Sequence, residues 1–499
     1  MLDFPLWPLL LAQIAMGGFD TLYHHELTQR LAWKPRAALE LKLHGVRNLI
    51  YAVVFLALGW SAPTGGWATA LLALLLTEAG ITLWDFVEED RTRLLPASER
   101  VTHTLLTLNY GVVLALLVPD LWSRAARADA LPLVWNGWLS VIFAAAAAGV
   151  VLFGLRDMAA AARIRRIVET DAAPLLGSSA RRRNILVTGG TGFVGRRLVA
   201  ALAGAGHSVT VLTRDRKRAL ELPAPVRVVT DLVQIHAAER IHAIVNLAGE
   251  SVAGGLWTGR RRAEIKGSRV RMAAALDALV GRLQCAPEVL VAASAVGFYG
   301  DTGEAVLDEG GAAGTCFSAD ACRAAEDAAE ACVARGMRVV RLRIGMVLAS
   351  EGGLLGNLLF PFEMGMGGPI GSGRQWMSWI HRDDLVRLIA FAIEDESLGG
   401  AVNAVAPNPV RNRAFAQALG KALHRPALIP LPAAPLRWLL GDFARELFLA
   451  GQRALPVKAV FHGFQFLHPE IGDALGRIVG APKPAATAEP AWREARLLH

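Results

Sequence analysis

Cysteine is scarce and unpaired in this chain. Its 499 residues hold four, Cys285, Cys316, Cys322 and Cys332, and no two share a C-x-x-C or zinc-finger spacing. A disulfide scaffold and a thiolate zinc site are excluded, and reduced thiols in a cytosolic compartment are expected. Tyrosine is as rare, with four in all. Charged residues make up only 19% of the chain and mean hydropathy is +0.37, too greasy for a wholly soluble protein. The opening Met-Leu-Asp-Phe carries no basic n-region, so the first apolar run reads as a membrane segment and not as a cleaved signal. There is no internal repeat, and no low-complexity tract beyond Ala-rich helices.

What is present divides the chain in two. Apolar residues concentrate before residue 160, in runs near 4–23, 46–63, 66–87, 104–122 and 134–155. Each approaches the roughly 20 residues that a helical membrane span needs. Arg30, Lys34, Arg36 and Lys42 lie between the first two runs, and Arg91, Arg93 and Arg100 between the third and fourth, while the turn at 62–66 is uncharged. Counting positive loops as inside places those segments, and everything after the fifth run, in the cytoplasm. The expectation is a multi-pass protein of the inner (cytoplasmic) membrane, with a helical membrane domain over 1–160 and a basic linker over 161–183. The net charge of +8 sits largely in these membrane flanks. The partner it implies is the lipid bilayer, and nucleic acid is not expected.

From residue 184 the pattern changes. Short β-branched runs at Ile185–Thr188, Val209–Leu212, Val226–Val229, Ala243–Leu247, Val289–Ala293 and Val339–Ile344 alternate with helical stretches. That alternation predicts an α/β fold, a doubly wound parallel sheet with helices on both faces. The first strand runs into Gly189-Gly190-Thr191-Gly192-Phe193-Val194-Gly195 and then a helix. Glycines at this spacing allow a tight turn and bring backbone N–H groups and the helix N-terminus to a pyrophosphate, the fingerprint of a Rossmann dinucleotide site. The second strand ends in Thr213-Arg214-Asp215-Arg216-Lys217. A cation there suits the 2′-phosphate of NADP and an acid suits the ribose of NAD. Arg214 favours NADP; Asp215 keeps NAD open. The Rossmann domain is expected over 184–407, followed by a small, mostly helical subdomain over 408–499.

The Gly189–Gly195 turn, Asn246-Leu247-Ala248-Gly249 and Ser294-Ala-Val-Gly-Phe-Tyr299-Gly300 together resemble the extended short-chain dehydrogenase/reductases. Within them the chain is similar to a subgroup of uncharacterised nucleoside-diphosphate-sugar epimerase-like proteins with a C-terminal tail domain. The resemblance rests further on Trp257 to Arg269, Gly368 to His381, Asp383-Asp384, Leu455 to Lys458 and Gly463 to Phe466. It implies that Gly189, Gly192 and Gly195 hold the pyrophosphate and Arg214 the 2′-phosphate. It also places Asp231 near the adenine, Leu247, Ala248 and Gly249 along the cofactor, and Ser294 at the active-site serine. One departure is large. These reductases pair Tyr-x-x-x-Lys, the lysine lowering the tyrosine pKa for proton exchange. Only Tyr299 follows the membrane region, and Gly303 stands four residues on. Tyr299 is either an acid–base residue with Ser294 or a packing aromatic.

The membrane region carries ionisable residues that are costly at membrane depth and functional by default. Asp20, His24, His25 and Glu26 close the first run, His44 opens the second, Glu78 lies inside the third with Asp85, Glu88 and Glu89 at its end, and Glu99 and His103 open the fourth. Nearly all fall at the expected cytoplasmic level. Imidazoles and carboxylates from several helices can hold zinc or another transition metal, the candidate ligands being His24, His25, His44, Glu78, Asp85, Glu99 and His103. Interfacial ion pairs with Arg47, Arg91, Arg93 and Arg100, or a quinone-type ligand site, are the other readings. The expected function is a membrane-bound NADP(H)-dependent oxidoreductase or epimerase-like enzyme acting on a small molecule of unknown identity. The alternatives are an NADP-binding redox-sensing or assembly protein, and a membrane metal centre fed by NADPH.

Overall fold

The computed structural model describes residues 6–93, 95–165, 167, 172–177, 179, 181–223 and 225–481. Part of the expected linker (166, 168–171, 178 and 180) lies outside them. The chain separates into two compact units, residues 1–168 and 169–499.

In the first unit α1 (Leu6–Phe19) continues as a π-helical segment, Asp20–Gln29, which Arg30 ends in a left-handed conformation at φ 54°. Then come α2 (Ala38–Trp60), α3 (Gly66–Thr92), α4 (Ala97–Ala125) and α5 (Trp138–Ile164). These four are long and apolar enough to cross a membrane. The expected first span is a 14-residue α-helix plus the π-helical segment, so by regular α-helix alone it falls short. α2, α3 and α4 run further at one end than the apolar runs predict. The added turns carry Glu40, His44, Glu89 and Glu99, whose partners are Arg93 for the three carboxylates and Asp85 for the histidine. Small residues let α2 and α5 approach closely: a Cβ on Gly154 would stand 3.0 Å from the Gly45 carbonyl oxygen. Phe55, Leu58, Leu71, Leu117 and Phe143 fill the bundle interior, while Leu76, Leu83, Leu108 and Trp122 face outward.

The second unit is built on seven parallel strands: β1 (Asn184–Thr188), β2 (Ser208–Leu212), β3 (Arg227–Val229), β4 (Ala243–Asn246), β5 (Val289–Ala295), β6 (Arg338–Ile344) and β7 (Gly400–Ala404). Their order is β7-β6-β5-β4-β1-β2-β3. The order reverses between β1 and β4, so a crevice opens at the carboxyl ends of those two strands, where open α/β sheets bind ligands. Six strands match the sequence pattern. The seventh, Gly-Ala-Val-Asn-Ala, has one β-branched residue and sits at the sheet edge, so propensity gives it no signal. The helices that bear on the site are α6 (Gly195–Gly204), α7 (Gly259–Arg282), α8 (Phe317–Glu330) and α9 (Arg382–Glu394).

The expected subdomain after 408 is described as far as 481, the rest lying outside the described residues; this part is mostly helical, with two short strands, and is tied to the sheet. Asp384 of α9 accepts hydrogen bonds from the backbone N–H groups of Leu467 (2.7 Å) and His468 (2.9 Å). Asn403 of β7 donates to the Leu455 carbonyl at 2.9 Å.

Candidate functional site

The turn after β1 has the form that its glycines require. Gly189 has φ 71°, where a side chain is strained, and a Cβ there would stand 2.7 Å from the Leu247 carbonyl carbon. A Cβ on Gly195 would collide with the Gly189 carbonyl oxygen and lie 2.7 Å from the Gly190 Cα. One on Gly190 would meet Val211 at 2.7 Å, whereas one on Gly192 has only the Gly189 oxygen at 3.1 Å. Gly189, Gly190 and Gly195 are therefore set by protein packing. Gly192 leaves space on the turn's outer side, as a backbone that must admit a pyrophosphate does. The Thr188 hydroxyl donates to Asn246 Oδ1 at 2.6 Å and accepts from the Ala248 N–H at 3.3 Å. That lock sets Leu247, Ala248 and Gly249 beside the turn. Phe193 packs on the loop after the strand Met346–Leu348, where a Cβ on Gly352 would come within 2.6 Å of its ring. Arg197 of α6 pairs with Asp383 at 2.8 Å. Burial works to raise the Asp383 carboxyl, and Arg197 overrides it, holding the group below the usual carboxylate range.

At the end of β2 the acid that kept NAD open is already engaged. Asp215 Oδ1 accepts from the Lys217 N–H at 2.9 Å and caps the turn Arg216–Ala219. Arg214, Arg216, Lys217 and Arg218 are all exposed. Asp231 likewise caps the turn that follows β3, accepting from the Val233 N–H at 2.9 Å.

At the end of β5, Ser294 donates to Glu326 Oε1 of α8 at 2.7 Å. Arg343 of β6 grips that carboxylate through Nε and Nη2, each at 3.0 Å. The same guanidinium donates to Tyr299 Oη at 3.0 Å. Tyr299 Oη lies within hydrogen-bond reach of Asn403 Oδ1 (2.7 Å) and the Asp308 carbonyl (2.9 Å). The residue is 2% exposed, and burial pushes its phenol above the usual value. The Tyr299 hydroxyl is thus turned into the fold and engaged there. Ser294 keeps a lone pair and stays partly accessible. Glu326 and Arg343 were not anticipated. The one available signal was Arg343 in the apolar strand Arg-Val-Val-Arg-Leu-Arg-Ile, since an inward arginine needs a carboxylate.

In the first unit the candidate ligands divide. His25, Glu89, Glu99 and His103 place ligand atoms within 4.8 Å of one another, and so do Glu40, His44 and Glu89. His24 lies outside both groups, with Nδ1 on Asp20 Oδ1 (2.8 Å) and Nε2 on Ser98 Oγ (3.3 Å). Glu78 is apart too, accepting from Tyr51 (2.6 Å) and Thr82 (2.7 Å). Asp85 pairs with His44 and Arg47, each at 2.9 Å. Glu40, counted in a loop by the apolar pattern, and Glu89 belong to the groups instead. The ion-pair reading holds in part: Arg93 bonds Glu40 (2.9 Å), Glu89 (3.0 Å) and Glu99 (2.8 Å). Arg91 is exposed beside Glu88 at 3.5 Å.

Comparison with known proteins follows the second unit. Residues 185–404 match the NAD dependent epimerase/dehydratase family, and residues 431–478 match a domain of unknown function, DUF1731. The chloroplastic epimerase family protein SDR39U1 homolog of Arabidopsis thaliana is 40% identical over 59% of this chain and 86% of its own. Epimerase family protein Mb2239 of Mycobacterium bovis is 39% identical over 60% of this chain and 98% of its own. The crystal structure of human SDR39U1 (isoform2) with NADPH superposes with a TM-score of 0.54 at 34% identity, covering 59% of this chain and 99% of that one. The chain belongs to the NAD-dependent epimerase/dehydratase family, as an SDR39U1-like member with a C-terminal DUF1731 domain.

Proposed function

We propose that the protein is a membrane-bound, NADP(H)-dependent oxidoreductase or epimerase-like enzyme whose nucleotide domain lies in the cytoplasm. The observation that carries the reading is the end of β2, where Asp215 is spent as a cap and exposed Arg214 remains for a 2′-phosphate. The relative crystallised with NADPH supports the same cofactor. The vacant outer side of Gly192 suits its pyrophosphate, and when bound it supplies or accepts a hydride. Ser294 would hold the substrate oxygen, with Glu326 taking or returning the proton through the serine hydroxyl. Four apolar helices with outward leucines and a tryptophan support the membrane assignment. The test is a fluorescence titration of the detergent-purified protein with NADPH and NADH. Tighter binding of NADPH by tenfold or more is expected, and equal or tighter binding of NADH would overturn the cofactor choice.

A second reading keeps the nucleotide and drops the chemistry, making the protein a redox-sensing or assembly factor. The buried, committed hydroxyl of Tyr299 favours it. A cellular phenotype that survives Ser294→Ala but not Gly192→Val would select this reading over the enzyme.

A further inference from the structure

The geometry points to a second site, in the first unit and independent of the nucleotide: a carboxylate-bridged pair of divalent first-row transition-metal ions, with Glu89 as the bridge. Two ligand groups share that residue. His25, Glu89, Glu99 and His103 form one, and Glu40, His44 and Glu89 the other. They come from the π-helical segment, α2, α3 and α4, the way helical bundles assemble two-ion carboxylate centres. Imidazole nitrogen and carboxylate oxygen together suit zinc, iron, manganese or cobalt.

Four of the six ligand residues present an unsatisfied atom, while Arg93 holds both oxygens of Glu99 and both nitrogens of His103 face carboxylates. Glu40 and Glu99 are 0% exposed and Glu89 is 1% exposed. His25 Nε2, Glu40 Oε2, His44 Nε2 and Glu89 Oε2 are buried without a hydrogen-bond partner. His25 Nε2 is 3.4 Å from Asp20, His44 Nε2 is 2.9 Å from Asp85 and Glu89 Oε2 is 3.4 Å from His103 Nδ1, charge contacts that lack hydrogen-bond geometry. Orphaned buried polar atoms are costly and rare, and these four belong to residues of the two ligand groups.

Charge argues the same way. Asp20, Glu40, Asp85, Glu89 and Glu99 are buried carboxylates, while the guanidiniums bonded to them are Arg47 and Arg93. Against the guanidiniums alone three negative charges remain; imidazoliums of His44 beside Asp85 and of His103 beside Asp20 and Glu89 are one way to balance them, and divalent cations are the other. Arg93 takes Glu40 Oε1 and Glu89 Oε1, leaving their Oε2 atoms for metal. Asp20 orients His103 at 3.2 Å, as outer-shell carboxylates orient metal-bound imidazoles. A cavity of about 300 Å³ bordered by Asp20, Asp85, Glu89 and His103 gives small molecules a way in.

The experiment uses the full-length protein in detergent, stripped with a chelator and reloaded with Mn²⁺. Elemental analysis is expected to give about two ions per chain, and electron paramagnetic resonance a spin-coupled signal. Glu89→Ala should lose both, while Glu78→Gln, outside the ligand groups, should keep both. Trace metal after reloading would overturn the proposal, as would the six-line spectrum of isolated ions or unchanged loading in Glu89→Ala. Retained NADPH binding in each variant separates this result from any failure of the nucleotide reading.

Discussion

Ser294 donates a 2.7 Å hydrogen bond to Glu326, whose carboxylate Arg343 holds from the other side through two nitrogens at 3.0 Å. Both charged side chains are nearly fully buried, 6% and 4% exposed. Removing one partner of such a pair leaves an uncompensated buried charge. Glu326→Gln is therefore expected to cost roughly 3 kcal/mol. For a unit of roughly 300 residues that is a fall in Tm of about 5 °C. Scanning fluorimetry of the purified protein checks it, the relevant transition being the one that NADPH shifts. An unchanged midpoint would mean that the pair is not what holds the end of β5.

The glycine turn predicts two kinds of loss. A Cβ on Gly195 collides with protein backbone, whereas one on Gly192 meets only the Gly189 oxygen, tightly, at 3.1 Å. Gly195→Val should lower stability and abolish NADPH binding together. Gly192→Val should cost the free protein less stability than Gly195→Val and still remove binding. Tight NADPH binding by Gly192→Val would refute the placement of the pyrophosphate.

Arg214 should act on the cofactor's phosphate alone. Losing a hydrogen bond between charged groups costs about 1.5–3 kcal/mol, a factor of roughly 10–100 in Kd. Arg214→Ala is expected to weaken NADPH by that factor and leave NADH almost unaffected, as read by paired titrations. Equal losses for the two nucleotides would assign Arg214 to the turn's architecture instead.

How much of this was legible in the sequence varies with how strictly chemistry constrains the residue. The turn from Gly189 to Gly195 could be read because only glycine fits several of its positions. Ser294 could be placed because the motif from Ser294 to Gly300 resembles the one that carries the active-site serine in the extended short-chain dehydrogenase/reductases. Glu326 could not: it lies in an Ala-rich helix among other acids, Phe-Ser-Ala-Asp-Ala-Cys-Arg-Ala-Ala-Glu-Asp-Ala-Ala-Glu, and only its partner across the fold distinguishes it. Tyr299 attracted notice by scarcity, yet its burial against Asn403 depends on β7, a strand with no propensity signal. Glu40 was misplaced because hydropathy ends a span at its last apolar residue, whereas α2 continues through charged turns whose partners lie on α3 and α4. In each case the missing information was tertiary.

His381 gives a prediction about pH. It caps α9, its Nδ1 accepting from the Asp383 N–H at 3.1 Å. Its ring lies 4.0 Å from that of His468. Burial, then the charges of His468, Arg382 and Arg477, hold its pKa at about 3, with Asp383 opposing. The unfolded chain binds a proton near pH 6.5 that the folded chain refuses, so the contribution of neutral His381 is intact above that pH. As pH falls from about 6.5 toward 3 it is lost, at up to about 1.4 kcal/mol per pH unit. Asn keeps the capping acceptor and does not titrate. His381→Asn should therefore show a smaller fall in Tm between pH 7 and pH 4.5 than wild type, though not a flat one, because the neighbouring His468 is also held below its usual value. Parallel curves for the two proteins would show that His381 takes up its proton within the fold.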